Sequence, residues 1–164
     1  MPKPIRIGQV LIDQGVLNEQ QVFEICQAQK RRHLPFGVLA ERMFDVTLES
    51  IEHAWVDQYH RYTGTLDLAA EHIDERVLPS IHRRQAWQFQ LLPVRMEAHG
   101  ELLVAASRER LARAVTFAAS HFTCPCFFRI AAPEQLHAYL RKYYPMPEVS
   151  PAILERARAM SLSG

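Results

Sequence analysis

Hydrophobic and polar positions between Arg6 and Gln58 follow one pattern that occurs twice. The first copy spans residues 6–29, the second spans residues 35–58, and residues 30–34 separate them. The positions that agree between the copies are mostly apolar, glycine or helix-capping positions: Ile7 and Phe36, Gly8 and Gly37, Leu17 and Val46, Asn18 and Thr47, Val22 and Ile51, Ile25 and Ala54, Gln29 and Gln58. An internal repeat of this kind defines the unit of structure.

Each copy predicts a short helix, a tight turn and a longer helix. In the first copy the short helix has apolar residues at helical spacing, at Ile7, Val10 and Leu11. Gly15 suits a left-handed helix end, and Asn18 begins a capping-box pattern for the longer helix. In the second copy Thr47 is the predicted cap of a helix that ends at Gly64.

The pattern changes after Gly64. Residues 65–73 form a polar connection, and residues 74–87 predict a helical segment that is broken at Pro79, where a new helix can begin. Strands are predicted at residues 89–96, 102–106 and 124–130, and helices are predicted to begin at Ser107 and Pro133. The order helix, strand, strand, helix, strand, helix predicts a small three-stranded sheet with helices on one side. The expected class is therefore α+β, a tandem helical-hairpin repeat followed by this sheet.

Three segments follow from these patterns. We expect a helical tandem repeat subdomain at residues 1–64, a small α/β subdomain at residues 65–144, and a proline-containing linker with a short tail helix at residues 145–164. The tail helix is expected to be capped by Ser150. Because a short isolated helix is marginal in water, the tail either packs on the domain, docks on a partner or frays.

Composition narrows the class of protein. The chain has 164 residues, of which 48% are hydrophobic and 23% charged, as in ordinary soluble domains. Its net charge of +1 gives no electrostatic reason to expect a nucleic acid polymer as partner. No apolar run reaches the ~20 residues of a membrane span, and the amino terminus lacks the apolar core of a signal peptide. Three cysteines without a framework spacing favour the reducing cytoplasm.

The repeat resembles the N-terminal domain of type II secretion and type IV pilus assembly ATPases, the MshEN domain. That family uses an Arg-Leu-Gly start, a later glycine, spaced leucines and a final glutamine, in two copies with a short spacer, and residues 6–58 have this spacing. The resemblance extends more loosely to Tyr144. Family members with both copies intact bind cyclic di-GMP, so the resemblance implies this nucleotide as a ligand and no separate cofactor.

The residue types of the first copy suit that ligand. The Arg6 guanidinium can meet a guanine face or a phosphate, and Gly8 lets the backbone approach an anion. Leu11, Val16 and Leu17 are expected to surround a base, and Gln29 carries both a donor and an acceptor for its edge. The candidate ligand-binding residues are Arg6, Ile7, Gly8, Leu11, Gly15, Leu17, Gln29, Gly37 and Gln58.

The second copy departs from the family pattern. Pro35 stands in place of the arginine, Ala40 in place of a leucine, and Phe44 in place of the turn glycine, which requires a different helix end. Arg108 and Glu109 stand where the family often has an Asp-Pro pair whose aspartate contributes to ligand binding. The spacer residues Arg31, Arg32 and His33 are candidates to replace the missing charge.

Two other interpretations stay open. The glycines and apolar positions are also what a purely structural repeat requires, and the resembled domain also anchors secretion ATPases to the cytoplasmic part of an inner-membrane protein. A docking module is therefore the alternative, and exposed apolar surface on the repeat or the tail would favour it.

Catalytic and metal-binding patterns are absent from the sequence. No Gly-rich Lys-Ser/Thr phosphate loop, nucleophile elbow or His-Glu-x-x-His sequence occurs, so we expect no enzymatic activity. His121, Cys124 and Cys126 have no evident fourth partner, and packing explains them better than a metal does. His53 and His60 are expected on a helix surface.

Overall fold

A computed structural model describes residues 6–147 and 151–162 of the chain, without the side chains of residues 151, 153, 154 and 162. The repeat forms four helices: α1 (Ile7–Asp13), α2 (Glu19–Arg32), α3 (Phe36–Phe44) and α4 (Leu48–Thr63). Equivalent helices begin at equivalent positions of the two copies. Asn18 caps α2 in a complete capping box, and the Thr47 side chain caps α4. The predicted order of short and long helices is confirmed.

The four helices do not pack as two separate hairpins. Helix α1 contacts α4, and α2 contacts α3, more extensively than the two helices of either copy contact each other. The expectation of two helical hairpins is therefore wrong in its packing. The two copies form one four-helix unit, and their apolar residues share one hydrophobic cluster.

The remainder of the chain alternates short strands and helices. Its elements are β1 (Thr65–Leu66), 3₁₀ helices at Leu68–Ala70 and Glu75–Ser80, α5 (Arg83–Phe89), β2 (Leu91–Met96), β3 (Leu102–Ala106), α6 (Leu111–His121), β4 (Cys126–Ala131), α7 (Pro133–Tyr143) and α8 (Pro151–Leu162). The fold is α+β, and α7 begins at Pro133 as the sequence predicts.

The sheet has four strands rather than three, in the order β1-β4-β3-β2. Strands β1, β3 and β4 run parallel, and β2 pairs with β3 in antiparallel orientation. The additional strand is β1, which lies within the expected polar connection and pairs with Ile130 and Ala131 of β4. Two residues are too short for a periodic pattern, so only the tertiary pairing defines this strand.

Three further expectations are corrected. All five residues of β3 are buried, so both faces of the sheet are covered rather than one. Phe89 ends α5 instead of starting β2, because Gln90 adopts a left-handed conformation (φ 51°) and breaks the chain direction there. Pro79 lies inside a 3₁₀ helix, and the new helix begins only at Arg83.

Two hydrophobic clusters support the fold. One lies among the helices of the repeat and includes Val10, Leu39 and Ala54, and the other surrounds the sheet. Helix α4 contributes to both, since Val56, two residues beyond Ala54, belongs to the sheet cluster. The repeat and the sheet are thus joined through one helix.

The tail forms a helix, α8, whose described side chains are exposed, including Met160 at 77%. The predicted cap at Ser150 lies outside the described residues. Across the described part of the chain, no helix combines the length and apolar character that a membrane span requires.

Candidate functional site

Arg6 lies immediately before α1 and is exposed. Its backbone carbonyl accepts the N–H groups of Gln9 and Val10, which starts the helix. Its guanidinium makes no hydrogen bond or ion pair with any other described residue. The second copy has Pro35 at the equivalent position, so only the first copy presents a cation there.

The two repeat glycines permit close packing of helices. A Cβ atom on Gly8 would lie 2.8 Å from Cγ1 of Val22, and one on Gly37 would lie 3.1 Å from Cγ2 of Ile51. Val22 and Ile51 are themselves equivalent residues of the two copies. The structure therefore gives both glycines a role in the packing of the helices.

The apolar candidates come together in the interior of the repeat. Leu11 is 0% exposed and Leu17 is 5% exposed, and half-buried Ile7 packs against the same cluster. Gly15 has a φ of +73° and no atom near its missing side chain, so backbone conformation alone selects glycine there. These four residues shape the first copy rather than offering polar groups to a ligand.

The two repeat glutamines are half-buried. Nε2 of Gln29 donates a hydrogen bond to the carbonyl of Leu34 at 3.2 Å, which holds the segment between the copies against the end of α2. Gln58 occupies the equivalent position in α4. The amide oxygen of Gln29 has no hydrogen-bond donor among the described residues and stays available as an acceptor.

The second copy solves the loss of its turn glycine by extending a helix. Helix α3 continues through Phe44, two positions beyond the equivalent end of α1. Asp45 then takes the left-handed conformation (φ 54°), and its N–H bonds the carbonyl of Glu41. The turn keeps its function with a different residue in the strained position.

The segment between the copies is mostly helical. Arg31 and Arg32 form the last residues of α2, and His33 ends the helix in the left-handed conformation (φ 54°). All three side chains are exposed and none has a hydrogen-bond or ion-pair partner among the described residues. They remain candidates to supply the charge that Pro35 lacks.

An ion-pair network joins the repeat to the sheet. Asp57, whose side chain is 10% exposed, pairs with Arg61 of the same helix at 2.8 Å and with Arg108 after β3 at 2.6 Å. Arg61 continues the network to Asp13 of α1 at 2.8 Å. Only the Asp57 and Arg61 spacing of four residues is visible in the sequence; the other pairs depend on the tertiary fold.

The network shifts the pKa values of groups in and beside it. A hydrogen bond from Arg61 lowers the pKa of the Asp13 carboxyl. Burial, and next the charge of Arg108, lower the pKa of His60. Nη1 of Arg108 lies 3.4 Å from Nδ1 of His60, and Nε2 of His60 lies 2.7 Å from Oγ1 of Thr65. This arrangement favours the neutral His60 tautomer with its proton on Nε2.

A cleft that the sequence did not reveal lies at the carboxyl ends of the parallel strands β1, β3 and β4, and we call it the strand-end cleft. Its volume is about 520 Å³. Its lining consists of residues 107–110 after β3, residues 130–133 at the end of β4, and His60, Thr65, Gln90 and His137. Ligands of open α/β sheets commonly bind at this edge, which is the signal that could have indicated it once the parallel order was known.

The cysteine and histidine group at α6 and β4 makes hydrogen-bond contacts within the protein. Nε2 of His121 lies 2.7 Å from the Ser80 carbonyl, and the Cys126 thiol is directed at the carbonyl of Cys124. Burial raises the pKa of Cys126 to about 11, which disfavours the thiolate that binds metals. Within the described residues, no three His, Cys, Asp or Glu side chains are placed to hold a metal ion.

The chain is similar to one known protein family and to several solved structures. The family model of the MshEN domain matches residues 58–150, beginning at the last residue of the second copy. A structure of MshE with cdg is similar at 20% identity, covering 85% of this chain and 99% of that one with a TM-score of 0.49. The N-terminal domain of XpsE is similar at 17% identity, covering 85% and 94% with a TM-score of 0.47. No curated protein matches significantly. Since the family match covers more than half of the 164 residues, the chain belongs to the MshEN domain family.

Proposed function

We propose that this chain is a non-enzymatic regulatory domain that binds cyclic di-GMP, mainly through the first copy of its repeat. The observation that carries the proposal is the exposed Arg6 guanidinium, which lies at the start of the copy that keeps the pattern and has no partner among the described residues. Membership of the MshEN family supports the choice of ligand.

The chemistry of Arg6 fits a cyclic dinucleotide. A guanidinium stacks on a flat base or forms two parallel hydrogen bonds to a phosphate. Because Arg6 forms no salt bridge with another described residue, no such contact has to break before the side chain binds a ligand. The free amide oxygen of Gln29 supplies an acceptor for a base N–H group.

The second copy contributes less to the proposed site. Pro35 provides no charge, and Arg108, at the position of the family aspartate, is engaged with Asp57. An arginine offers donors where the aspartate would accept. The exposed Arg31 and Arg32 at the end of α2 are the proposed source of any compensating positive charge.

An NMR titration of ¹⁵N-labelled protein with cyclic di-GMP tests this site. We expect saturable shifts in residues 6–11 and at Gln29, and none with GTP. Arg84→Ala is the charge control and should show the same shifts as the wild-type chain. Arg84 is also exposed and has no partner among the described residues, but it lies on α5. Shifts confined to the sheet, or absent at millimolar nucleotide, would contradict the proposal.

A specific surface favours docking as a second function. Leu48, Trp55 and Tyr62 are 70%, 38% and 66% exposed. They are spaced seven residues apart on α4 and therefore lie along one stripe of the helix. Large apolar side chains exposed in a row are typical of protein interaction sites. The proposed partner is the cytoplasmic part of an inner-membrane protein of a secretion or pilus machine.

The two functions separate by mutation. The double variant Leu48→Ser, Tyr62→Ser should weaken binding to such a cytoplasmic domain in biolayer interferometry, while Arg6→Ala should leave it unchanged. Both substituted side chains are already exposed, so the fold should persist. Equal binding by the double variant and the wild-type chain would show that this stripe of α4 is not the docking surface.

A further inference from the structure

Two guanidinium groups line the strand-end cleft, and Asp57 behind the lining pairs with one of them, Arg108. Arg108 and Arg110 line it together with one carboxylate, Glu109. Arg110 uses one Nη1 hydrogen bond to the carbonyl of Gln88 at 2.6 Å, and Arg108 uses its two terminal nitrogens toward Asp57 and His60. The remaining N–H groups of both guanidinium ions have no acceptor among the described residues, so they are available to an anion.

Hydrogen bonds hold the polar walls of the cleft in place. Nε2 of His60 bonds Thr65, and Nε2 of His137 lies 2.7 Å from Oε1 of Gln90. The His137 ring also stacks on Trp87, with ring centroids 6.1 Å apart. Each imidazole is thus fixed by a wall residue before any ligand arrives, as expected of a preformed binding site.

The floor of the cleft is apolar. Ile130 and Ala131, at the end of β4, are 2% and 1% exposed, and Pro133 begins α7 beside them. Most of the accessible surface of the whole cleft is apolar, and a ligand with only a charged group would leave that surface in contact with water. The cleft therefore fits a molecule that has an anionic end toward the arginines and a less polar body against the floor.

From these features we infer that the strand-end cleft binds a small phosphorylated metabolite of about mononucleotide size. Two arginines suit a phosphate monoester, because a guanidinium matches its oxygens in paired hydrogen bonds. The volume of about 520 Å³ lies within the range of small-molecule sites. The cleft contains none of the candidate residues of the repeat, and it shares with the proposed cyclic di-GMP site only Arg108, at the position of the family aspartate.

Calorimetric titration with AMP and with ribose 5-phosphate tests the inference, with adenosine as the control that lacks phosphate. We expect saturable binding of at least one phosphorylated compound and none of adenosine. Arg110→Gln, which retains an amide donor for the Gln88 carbonyl, should weaken binding about tenfold or more. Arg113→Gln is the matched charge control, since exposed Arg113 lines a neighbouring cleft and not this one.

Changes in NMR chemical shift on ligand addition locate the bound ligand. We expect these changes at residues 107–110 and at His137. The Arg6→Ala variant should bind the phosphorylated compounds as the wild-type chain does. No saturable binding of either phosphorylated compound up to about 10 mM would overturn the inference. Binding that Arg110→Gln and Arg113→Gln weaken equally would also overturn it, because it would report general charge attraction rather than this cleft.

Discussion

At the scale of single residues, the repeat glycines show how a pattern that suggests ligand binding can serve packing. Gly8 is buried, and the position of its missing Cβ is occupied by Val22 and Phe36. Val22 is β-branched and held in a helix, so its side chain has little freedom to move away. Gly37 has a similar neighbour, Ile51, at a larger distance.

Gly8→Ala should therefore destabilise the protein by about 1 kcal/mol, because an overpacking cost of about 1–3 kcal/mol exceeds the helix-propensity gain of alanine. Gly37→Ala should change the free energy of unfolding much less. Urea denaturation measures both. Gly8→Ala should cost less free energy of unfolding in a Val22→Ala background than in the wild-type chain. Equal costs for Gly8→Ala and Gly37→Ala in the wild-type chain would contradict this account.

The sequence predicts the individual side chains only in part. It indicates that Leu11 and Leu17 are apolar positions of the repeat, and they are buried as a repeat core requires. It does not show that Arg108, at the place of the family aspartate, pairs with Asp57, because these residues lie 51 positions apart in the chain. Pairings of that kind depend on how the repeat meets the sheet.

At the scale of elements, the two copies show that one turn can be built in two ways. Gly15 supplies the left-handed residue after α1, whereas α3 runs two positions further and Asp45 supplies it. Phe44 in place of the turn glycine predicts that this turn differs from the first one. The sequence does not predict that the helix is longer and that Asp45 takes the left-handed conformation. The sequence does not predict β1, because only its pairing with β4 defines this strand. It does not predict the end of α5 at Phe89, because the left-handed conformation of Gln90 defines that end.

Substitutions at the two turns should have opposite effects. Gly15→Ala should destabilise the protein by about 1–2 kcal/mol, since it puts a Cβ on a left-handed residue with no compensating contact. Asp45→Gly should raise stability by up to about 1 kcal/mol, because it removes that cost from the second copy. Thermal unfolding followed by circular dichroism measures both. A lower melting temperature for Asp45→Gly would show that the Asp45 side chain stabilises the turn.

At the scale of the whole molecule, the network from Asp13 through Arg61 and Asp57 to Arg108 connects α1, α4 and the loop after β3. Helix α4 also belongs to both hydrophobic clusters. The repeat is therefore linked by contacts to the strand-end cleft, whose rim contains Arg108 and His60.

The lowered pKa of His60 predicts that the stability of the protein depends on pH. The pKa of His60 lies below its ordinary value of 6.5 because of burial and then the Arg108 charge, so the folded protein favours the neutral ring. Its contribution to stability is fully present above pH 6.5 and is lost as the pH falls through the folded pKa. His60→Gln should flatten the decline in stability as the pH falls below about 6.5.

The same group can be followed directly. In an NMR titration of the imidazole, Arg108→Gln should raise the pKa of His60, because it removes the repulsive charge and leaves the nearby Asp57. Arg113→Gln is the control and should leave that pKa where it is. A pKa that stays unchanged in Arg108→Gln would mean that Arg108 and His60 are not in contact in solution.

The central claim is that the first copy of the repeat binds cyclic di-GMP through Arg6, and isothermal titration of the wild-type chain and of Arg6→Ala tests it most directly. We predict saturable heat with cyclic di-GMP, none with GTP, and binding weakened at least about tenfold in Arg6→Ala, a loss of about 1.4 kcal/mol. Arg84→Ala should bind as the wild-type chain does. No saturable heat at high micromolar ligand, or equal affinity of the wild-type chain and Arg6→Ala, would contradict the claim and leave docking through α4 as the function to pursue.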